Sequence, residues 1–433
     1  MNRAELEPKE PNLPLSDSVM GGLKRVYISS IFYTLVTSIE ALTPFLLTPI
    51  LTRFLSPTSY GIVTLFVAFT TLARPVVSLS FQDAIKMRFF DLNRIERSHY
   101  LSTALVLNLI PAVTLGAAAV IFSESLSRFM KFPEPWISTI ILVAFLMGIF
   151  YLLLTINQFG QDRRNFLFLH ITQSAASFIA ITALVIVGME WQSYLIGKTA
   201  GLVFCIAIGL WLFMPVLEPR ALIRPQLRYI RELVKFGVLY LPAGLSLVAS
   251  GLINRLIIAH YSGLEQSGFY SIAELFGSVF LLGINGFMHG WMPWLFEHLR
   301  VRSRSVRNQV IMVSLLYVIA CPLAAFAIYG ASIFVAPILI GEEFHVALHL
   351  IPWALAAMTA HAYFVHMLTF LHFKKEPALM SLGSSLFLLC NIFLGILWVQ
   401  THGVVGVYMA TFVSYLLATV YNVIATSVVY YRR

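Results

Sequence analysis

The stretch LTRFLSPTSYGIVTLF, residues 51–66, interrupts a long apolar run with one arginine, a Ser-Pro and a Tyr-Gly. Proline cannot continue a helix that precedes it, but it fits the first turn of a new one. The stretch therefore reads as a corner between two apolar helices. Counted away from the corner, each flank holds about 20 residues, enough to cross a hydrocarbon core of ~30 Å. The pattern repeats along the 433-residue chain, which is 59% hydrophobic and 11% charged. With a mean hydropathy of +0.83, this is the composition of a polytopic membrane protein, not of two or three soluble domains.

Short polar breaks divide the chain into twelve expected spans, at 27–53, 59–81, 100–122, 136–157, 166–187, 194–215, 236–259, 269–296, 309–330, 345–370, 377–399 and 404–429. The fold class is all-α, because lipid leaves no water for unpaired backbone groups. The longest internal basic break, EPRALIRPQLRYIRELVK (218–235), divides the array six plus six. This gives an N-terminal tail at 1–25, a six-helix bundle at 26–215, a basic linker at 216–235 and a second six-helix bundle at 236–433. The tail has no apolar core of a signal peptide, so the first span is expected to be its own insertion signal. A weak echo links the halves: SPTSYGIV after the first span resembles SGLEQSGFYSI (262–272) after the seventh. Repeated halves are a common basis for alternating access.

The net charge of +9 is sorted by side. Alternate breaks and both termini hold 23 of the 29 Lys and Arg residues, whereas the opposite breaks hold Arg128 and Lys131, with Arg53 at an edge. The positive-inside rule places the basic side, and both termini, in the cytoplasm. Such a distribution does not call for a nucleic-acid partner. All three cysteines, Cys205, Cys321 and Cys390, fall within apolar spans, which argues against a disulfide framework.

Five charged residues stand out inside spans: Glu40, Arg74, Lys198, Arg255 and Glu274. A charge at the bilayer centre costs at least ~2.5–3.5 kcal/mol, so each needs a partner, a wet cavity or an escape to the interface. Four sit among other polar residues at helical spacing. The first span carries Tyr33, Thr37, Glu40, Pro44 and Thr48, and the second Thr71, Arg74 and Ser78. The seventh carries Ser246, Ser250, Asn254 and Arg255 beside Gly251, and the eighth Ser271, Glu274, Ser278, Asn285 and His289. These faces are expected to line an aqueous path between the bundles, with Ser and Thr packing against neighbouring helices as the plainer alternative. Lys198 and Arg255 lie near outer span ends, where snorkelling competes with a cavity role. Prolines 44, 49, 75, 242 and 293 fall in the same four spans as hinges or kinks. The Gly197–Gly201 and Gly286–Gly290 spacings are expected to mark close helix contacts.

No nucleotide-binding or zinc-protease motif is present, and no cofactor or metal site is expected. His345 and His349 are one helical turn apart without a third ligand and read as interfacial. The breaks on the base-poor side are too short for a catalytic domain.

Three stretches in register resemble the Wzx-type polysaccharide flippase family of the multidrug/oligosaccharidyl-lipid/polysaccharide exporter superfamily. They are LLTPILTRFLSPTSYGIVTLFVAF (46–69), KFGVLYLPAGLSLVASGLINRLIIAHYSGLEQSGFYSIAELF (235–276) and PILIGEEFHVALHLIPWALAA (337–357). The resemblance implies a V-shaped fold of two six-helix bundles in the bacterial cytoplasmic membrane. It also implies transport, not enzymatic catalysis, of an undecaprenyl-diphosphate-linked oligosaccharide for surface polysaccharide such as O-antigen lipopolysaccharide, beside a polymerase and a chain-length regulator. Arginines in a wet cleft suit a diphosphate through bidentate hydrogen bonds. Arg74 and Arg255 are the first candidates for the headgroup, followed by Asn254, Lys198, Asn285 and Arg53. Arg53 either snorkels to outer-leaflet phosphates or meets the diphosphate at the exit. Glu40 and Glu274 are candidates for cation coupling. The family often has Asp-Arg where this chain has Asn254-Arg255, which leaves Arg255 without its usual acidic neighbour. The rivals are a cation-coupled multidrug exporter of the same superfamily, a peptidoglycan-precursor flippase and a membrane-embedded polymerase or glycosyltransferase.

Overall fold

The computed structural model describes residues 36, 39, 43–89, 91–160, 162–213, 226–300, 304–374 and 376–431. The tail at 1–25 and the first ten residues of the linker lie outside them, as do Tyr33, Thr37 and Glu40. Regular structure among the described residues is helical throughout.

Nine described helices are long and apolar enough to cross a membrane. One of them, Pro377–Tyr431, is two helices, and so two spans, that meet at a kink at Gly403, whose φ of 58° and ψ of −139° are not helical. The first span, helical over 43–54, and the seventh, Leu227–Tyr261 with the half-buried Arg255, complete the twelve. The remaining spans are Pro57–Val77, Arg94–Ile121, Ile137–Phe159, Arg163–Ile186, Gln192–Phe213, Leu264–Arg300, Arg304–Leu339 and Ile351–Lys374. Spans one to six and seven to twelve gather as two bundles.

Local chemistry explains the ends. Ser56 caps the second span by accepting from the Ser59 backbone N–H, and Pro57 occupies the first helical position. Asn93 and Glu96 form a reciprocal capping box at the start of the third span. That span breaks at Asn108 because Pro111 has no N–H to offer the carbonyl of Leu107. The seventh, eighth and ninth helices run past their apolar stretches into the basic face, beginning or ending at Leu227, Arg300 and Arg304. Helical hydrogen bonding continues where hydropathy stops.

One boundary differs in kind. The tenth span, expected to begin at residue 345, is preceded by a 3-10 segment over residues 342–350, and the α-helix starts at Ile351. With three residues per turn, His345 and His349 do not share a face. Gly341 starts this segment because the first span passes too close for a side chain: a Cβ there would lie 2.1 Å from the carbonyl oxygen of Thr52.

The bundles meet at the opening corner. The second span crosses the eighth where Gly61 faces Gly268. A Cβ on Gly61 would fall 2.1 Å from the Leu264 carbonyl oxygen, and one on Gly268 would fall 2.5 Å from that of Pro57. Glycine is required at both positions for this backbone approach. Within the first bundle, Gly197 and Gly201 pack closely against Ile181 and Ser177, as their spacing predicts. Gly286 and Gly290 do not: a Cβ at either would meet nothing within 4 Å.

That open space has a geometric reason. Positions 279, 282, 283, 286 and 290 continue the helical face that begins at Gly268. Val279, Leu282, Gly283, Gly286 and Gly290 are all exposed. The face that touches the first bundle at Gly268 is therefore uncovered from Val279 to Gly290, toward the basic end.

Candidate functional site

The polar core of the second bundle is built around Arg255. Its Nη2 lies 2.5 Å from Glu274 Oε2, its Nε donates to Ser271 Oγ at 3.2 Å, and its Nη1 donates to its own helix at Gly251 O, 3.0 Å away. Tyr270 donates to the other oxygen of Glu274 at 2.9 Å, from one helical turn earlier. The acid missing beside Arg255 in sequence is thus supplied by the next helix, after the corner. Both members of this pair are only about a fifth exposed.

Asn254 does not line the cleft as expected. It is 3% exposed and points into the second bundle, where Nδ2 donates to Tyr270 OH and Thr411 Oγ1, each at 3.1 Å, and Oδ1 accepts from Asn391 at 2.8 Å. Neighbours on a helix are about 100° apart, so Arg255 and Asn254 cannot face the same space. Tyr408 stacks on Tyr270 with centroids 4.6 Å apart and donates to its carbonyl at 2.8 Å. Tyr270, Asn391, Tyr408 and Thr411 therefore belong to the site's support, which orients Glu274 through Tyr270. A buried polar group without a partner is costly, so such networks persist only when satisfied.

Arg74 lies half-buried on the second span with its guanidinium carbon 4.4 Å from the centre of the Tyr151 ring on the fourth. Among the described residues no carboxylate pairs with it. Asn285 and Ser278 are exposed on the cleft-side half of the eighth span. Lys198 is half-buried on the sixth span, which packs on the fourth and fifth inside the first bundle, apart from the Arg255 cluster.

Arg53 has a different role from either expected one. Its Nη1 donates to Pro49 O at 2.9 Å, and its Nη2 crosses to the second bundle and donates to Ile338 O at 2.6 Å. The Ile338 carbonyl lies in the last turn of its helix, where carbonyls lack an intrahelical donor and carry the negative end of the helix dipole. Next to it, Gly341 N donates to Thr52 Oγ1 at 3.0 Å, and Tyr60 and Phe269 both pack edge-on against Phe344. Arg53 is a clasp between bundles.

A second clasp faces it. His260 Nε2 lies 2.7 Å from Phe129 O of the first bundle and must donate, because a carbonyl only accepts. Gly61 and Gly268 are 207 positions apart, and so are Arg53 and His260. Each half thus sends the residue at the same corner position onto a carbonyl of the other half. On the opposite face the bundles also touch: Arg88 Nε lies 2.5 Å from Glu232 Oε1, Tyr100 packs edge-on against Tyr229, and Gly237 abuts the Leu79 carbonyl.

Among the described residues no group of three His, Cys, Asp or Glu side chains is placed to hold a metal ion. The arrangement thus places an arginine, Arg74, on one bundle and the Arg255–Glu274 ion pair on the other, with the bundles joined by the clasps on one face and by Arg88–Glu232 on the opposite one.

A sequence model of the family described as "Polysaccharide biosynthesis protein" matches residues 28–299. No curated protein matches the sequence. Among solved structures, the chain resembles the lipid II flippase MurJ in its inward closed conformation at 13% identity and a TM-score of 0.65, covering 92% of this chain and 87% of that one. An inward-facing multidrug resistance MATE family transporter of the MOP superfamily matches at 15% identity and a TM-score of 0.64, covering 88% and 93%. A MOP superfamily transporter from Pyrococcus furiosus, described as having a binding pocket of reverse polarity, matches at 14% identity and a TM-score of 0.61, covering 92% and 94%. These likenesses show a shared fold of two six-helix bundles.

Proposed function

We propose, from the premise that this chain belongs to the polysaccharide biosynthesis protein family, that it is a flippase for a lipid-diphosphate-linked oligosaccharide. The cargo passes from the inner to the outer leaflet of a bacterial cytoplasmic membrane during surface polysaccharide synthesis, with both termini of the protein in the cytoplasm. The chain carries no catalytic step in this reading, and a polymerase would consume its product on the far side. The observation that supports the proposal is the contrast between two intramembrane arginines, read here as facing one cleft. Arg74 on one wall has no carboxylate partner among the described residues, while Arg255 on the other is held by Glu274.

A diphosphate entering from the basic side meets Arg74 first in electrostatic terms, because that charge is not neutralised by a described acid. Arg255 then becomes available by exchange: phosphate oxygens replace Glu274, and the freed carboxyl takes up a proton or cation. This couples cargo binding to a charge change at Glu274 and gives the gradient a handle. The uncoordinated glycine face of the eighth span and Asn285 leave room for sugar, whose hydroxyls are bonded by Ser278 and Asn285. The isoprenoid tail remains in lipid beside the cleft. Parting of the Arg53 and His260 clasps opens the far side. A multidrug exporter shares the fold, but its cationic substrates gain nothing from an arginine wall.

The test is reconstitution with a fluorescent polyprenyl-diphosphate oligosaccharide, following leaflet exchange by quenching. The wild type is expected to move the lipid, and Arg74→Gln to retain its membrane fold and lose the movement. Transport of a cationic dye without lipid exchange refutes the proposal.

A further inference from the structure

The second bundle carries an unassigned groove on its lipid-facing side. Its volume is about 350 Å³, and three helices line it. The ninth span contributes Ile311, Ser314 and Val318, the tenth Met367 and Phe370, and the twelfth Val423, Thr426 and Ser427. Each stripe, followed by three or four residues toward the basic face, ends at a residue suited to a phosphate zone. Arg307 is one turn before Ile311, Lys374 one turn beyond Phe370, and Tyr430 one turn beyond Thr426. The Lys374 ammonium lies 3.7 Å from the centre of the Tyr430 ring, which holds it at the mouth, and Arg307 is exposed.

The inner end of the groove is closed by a particular bond. Pro322 has no N–H, so the carbonyl of Val318 lacks its helical donor, and the hydroxyl of Tyr363 takes that place at 2.8 Å. Tyr363 itself lines a second apolar pocket above, with Pro322, Phe326 and Phe412, and its bond to Val318 stands between that pocket and the groove. From Arg307 to Val318 the helix rises about 16 Å, half of a ~30 Å hydrocarbon core. The groove is one leaflet deep.

We infer that this groove is a binding site for an anionic glycerophospholipid of the basic-side leaflet, with its phosphate between Arg307 and Lys374 and one acyl chain along the ninth, tenth and twelfth spans. The depth decides the occupant. An acyl chain ends near the midplane, where Tyr363 stands, whereas a long polyisoprenoid has to pass it. Thr426 Oγ1 is buried without a partner among the described residues and sits one turn inside the mouth, at the depth of an ester carbonyl that its hydroxyl can reach. Bases between spans on the cytoplasmic side are the charge complement of such a headgroup.

The experiment is native mass spectrometry of the full chain released from nanodiscs of phosphatidylcholine and phosphatidylglycerol in equal amounts, with and without added polyprenyl monophosphate. The wild type is expected to retain phosphatidylglycerol over phosphatidylcholine. Arg307→Gln with Lys374→Gln reduces that preference by about 25-fold, since a base near an anionic headgroup contributes roughly fivefold. Ser427→Trp, which fills the groove from its exposed edge and keeps both bases, removes both lipids. All variants must elute as the wild type does; one that does not is replaced by Ser314→Phe or by the single base substitutions. Equal retention of the two phospholipids, a preference that survives both kinds of variant, or displacement by polyprenyl monophosphate overturns the inference.

Discussion

Removing the Arg53 side chain should open the base-poor end of the molecule without unfolding it. The guanidinium makes two charge-assisted bonds, at 2.9 Å to Pro49 O of its own helix and at 2.6 Å to Ile338 O in the last turn of a helix of the other bundle. Bonds to a charged group are worth roughly 1.5–3 kcal/mol when shielded, but this side chain is exposed, so about 1 kcal/mol for the interbundle bond is the appropriate scale. That corresponds to about a fivefold fall in the closed-to-open ratio for Arg53→Ala. His260→Ala removes one bond of similar worth, and the two clasps hold different corners, so the double variant should fall about 25-fold. The reporter is Ser267, fully buried beside Gly268 where the bundles cross. In a background with Cys205, Cys321 and Cys390 replaced by alanine, Ser267→Cys reacts with a membrane-impermeant maleimide only when the crossing parts. Labelling from the base-poor side should rise by these factors, because the rate follows the open population when closing is fast. Unchanged labelling in the double variant refutes the clasp, and labelling from the basic side refutes the orientation.

Other outcomes follow from the buried groups. Glu274→Gln and Arg255→Gln should each cost about 3–5 kcal/mol and lower the melting temperature in detergent, whereas Arg255→Met with Glu274→Leu should recover most of the stability and none of the transport. Tyr363→Phe leaves the Val318 carbonyl unpaired at the Pro322 kink and should cost about 1–3 kcal/mol, read as a lower melting temperature with the transport rate at low temperature retained. Gly286→Leu should leave the melting temperature within a degree or two, since nothing lies within 4 Å, yet slow lipid exchange by narrowing the cleft. The same substitution at Gly61 should prevent folding or assembly of the two bundles, seen as loss of the monodisperse species.

The sequence carries the corner, the number of spans and the sorting of bases because these depend on local composition and period. Pro57 after Ser56 marks a helix start wherever it occurs, and hydropathy needs no partner. Arg255 was harder to read. Its acid lies 19 residues away across a turn, and only the folded corner brings Glu274 to it. Asn254 shared a polar sequence face with Arg255, yet one residue of helical rotation sends it inward to Asn391 and Thr411, 137 and 157 residues away. Arg53 finds its acceptor 285 residues on, at a helix end set by Gly341. Gly286 and Gly290 carry the spacing of a contact, and it is helix divergence, not spacing, that leaves them open. The basic-side reach of the helices escaped hydropathy because Leu227 and Arg304 start helices outside the membrane.

The equal spacing of the two corners describes an inheritance as well as a geometry. Shifted by 207 positions, Arg53 falls on His260, Gly61 on Gly268, Thr64 on Ser271 and Thr71 on Ser278, so the clasp, the crossing and two hydroxyls are held in common by both halves. Val67 falls on Glu274 and Arg74 on Leu281. The parts that hold the halves together are duplicated, and the parts that carry charge are not. A half-length chain paired with its own copy has identical walls, with two arginines facing each other or two acids. Joining two diverged copies in one polypeptide is what permits a base on one wall and an acid on the other, and it ties each half to its partner: a change in either corner must now suit a carbonyl encoded in the other.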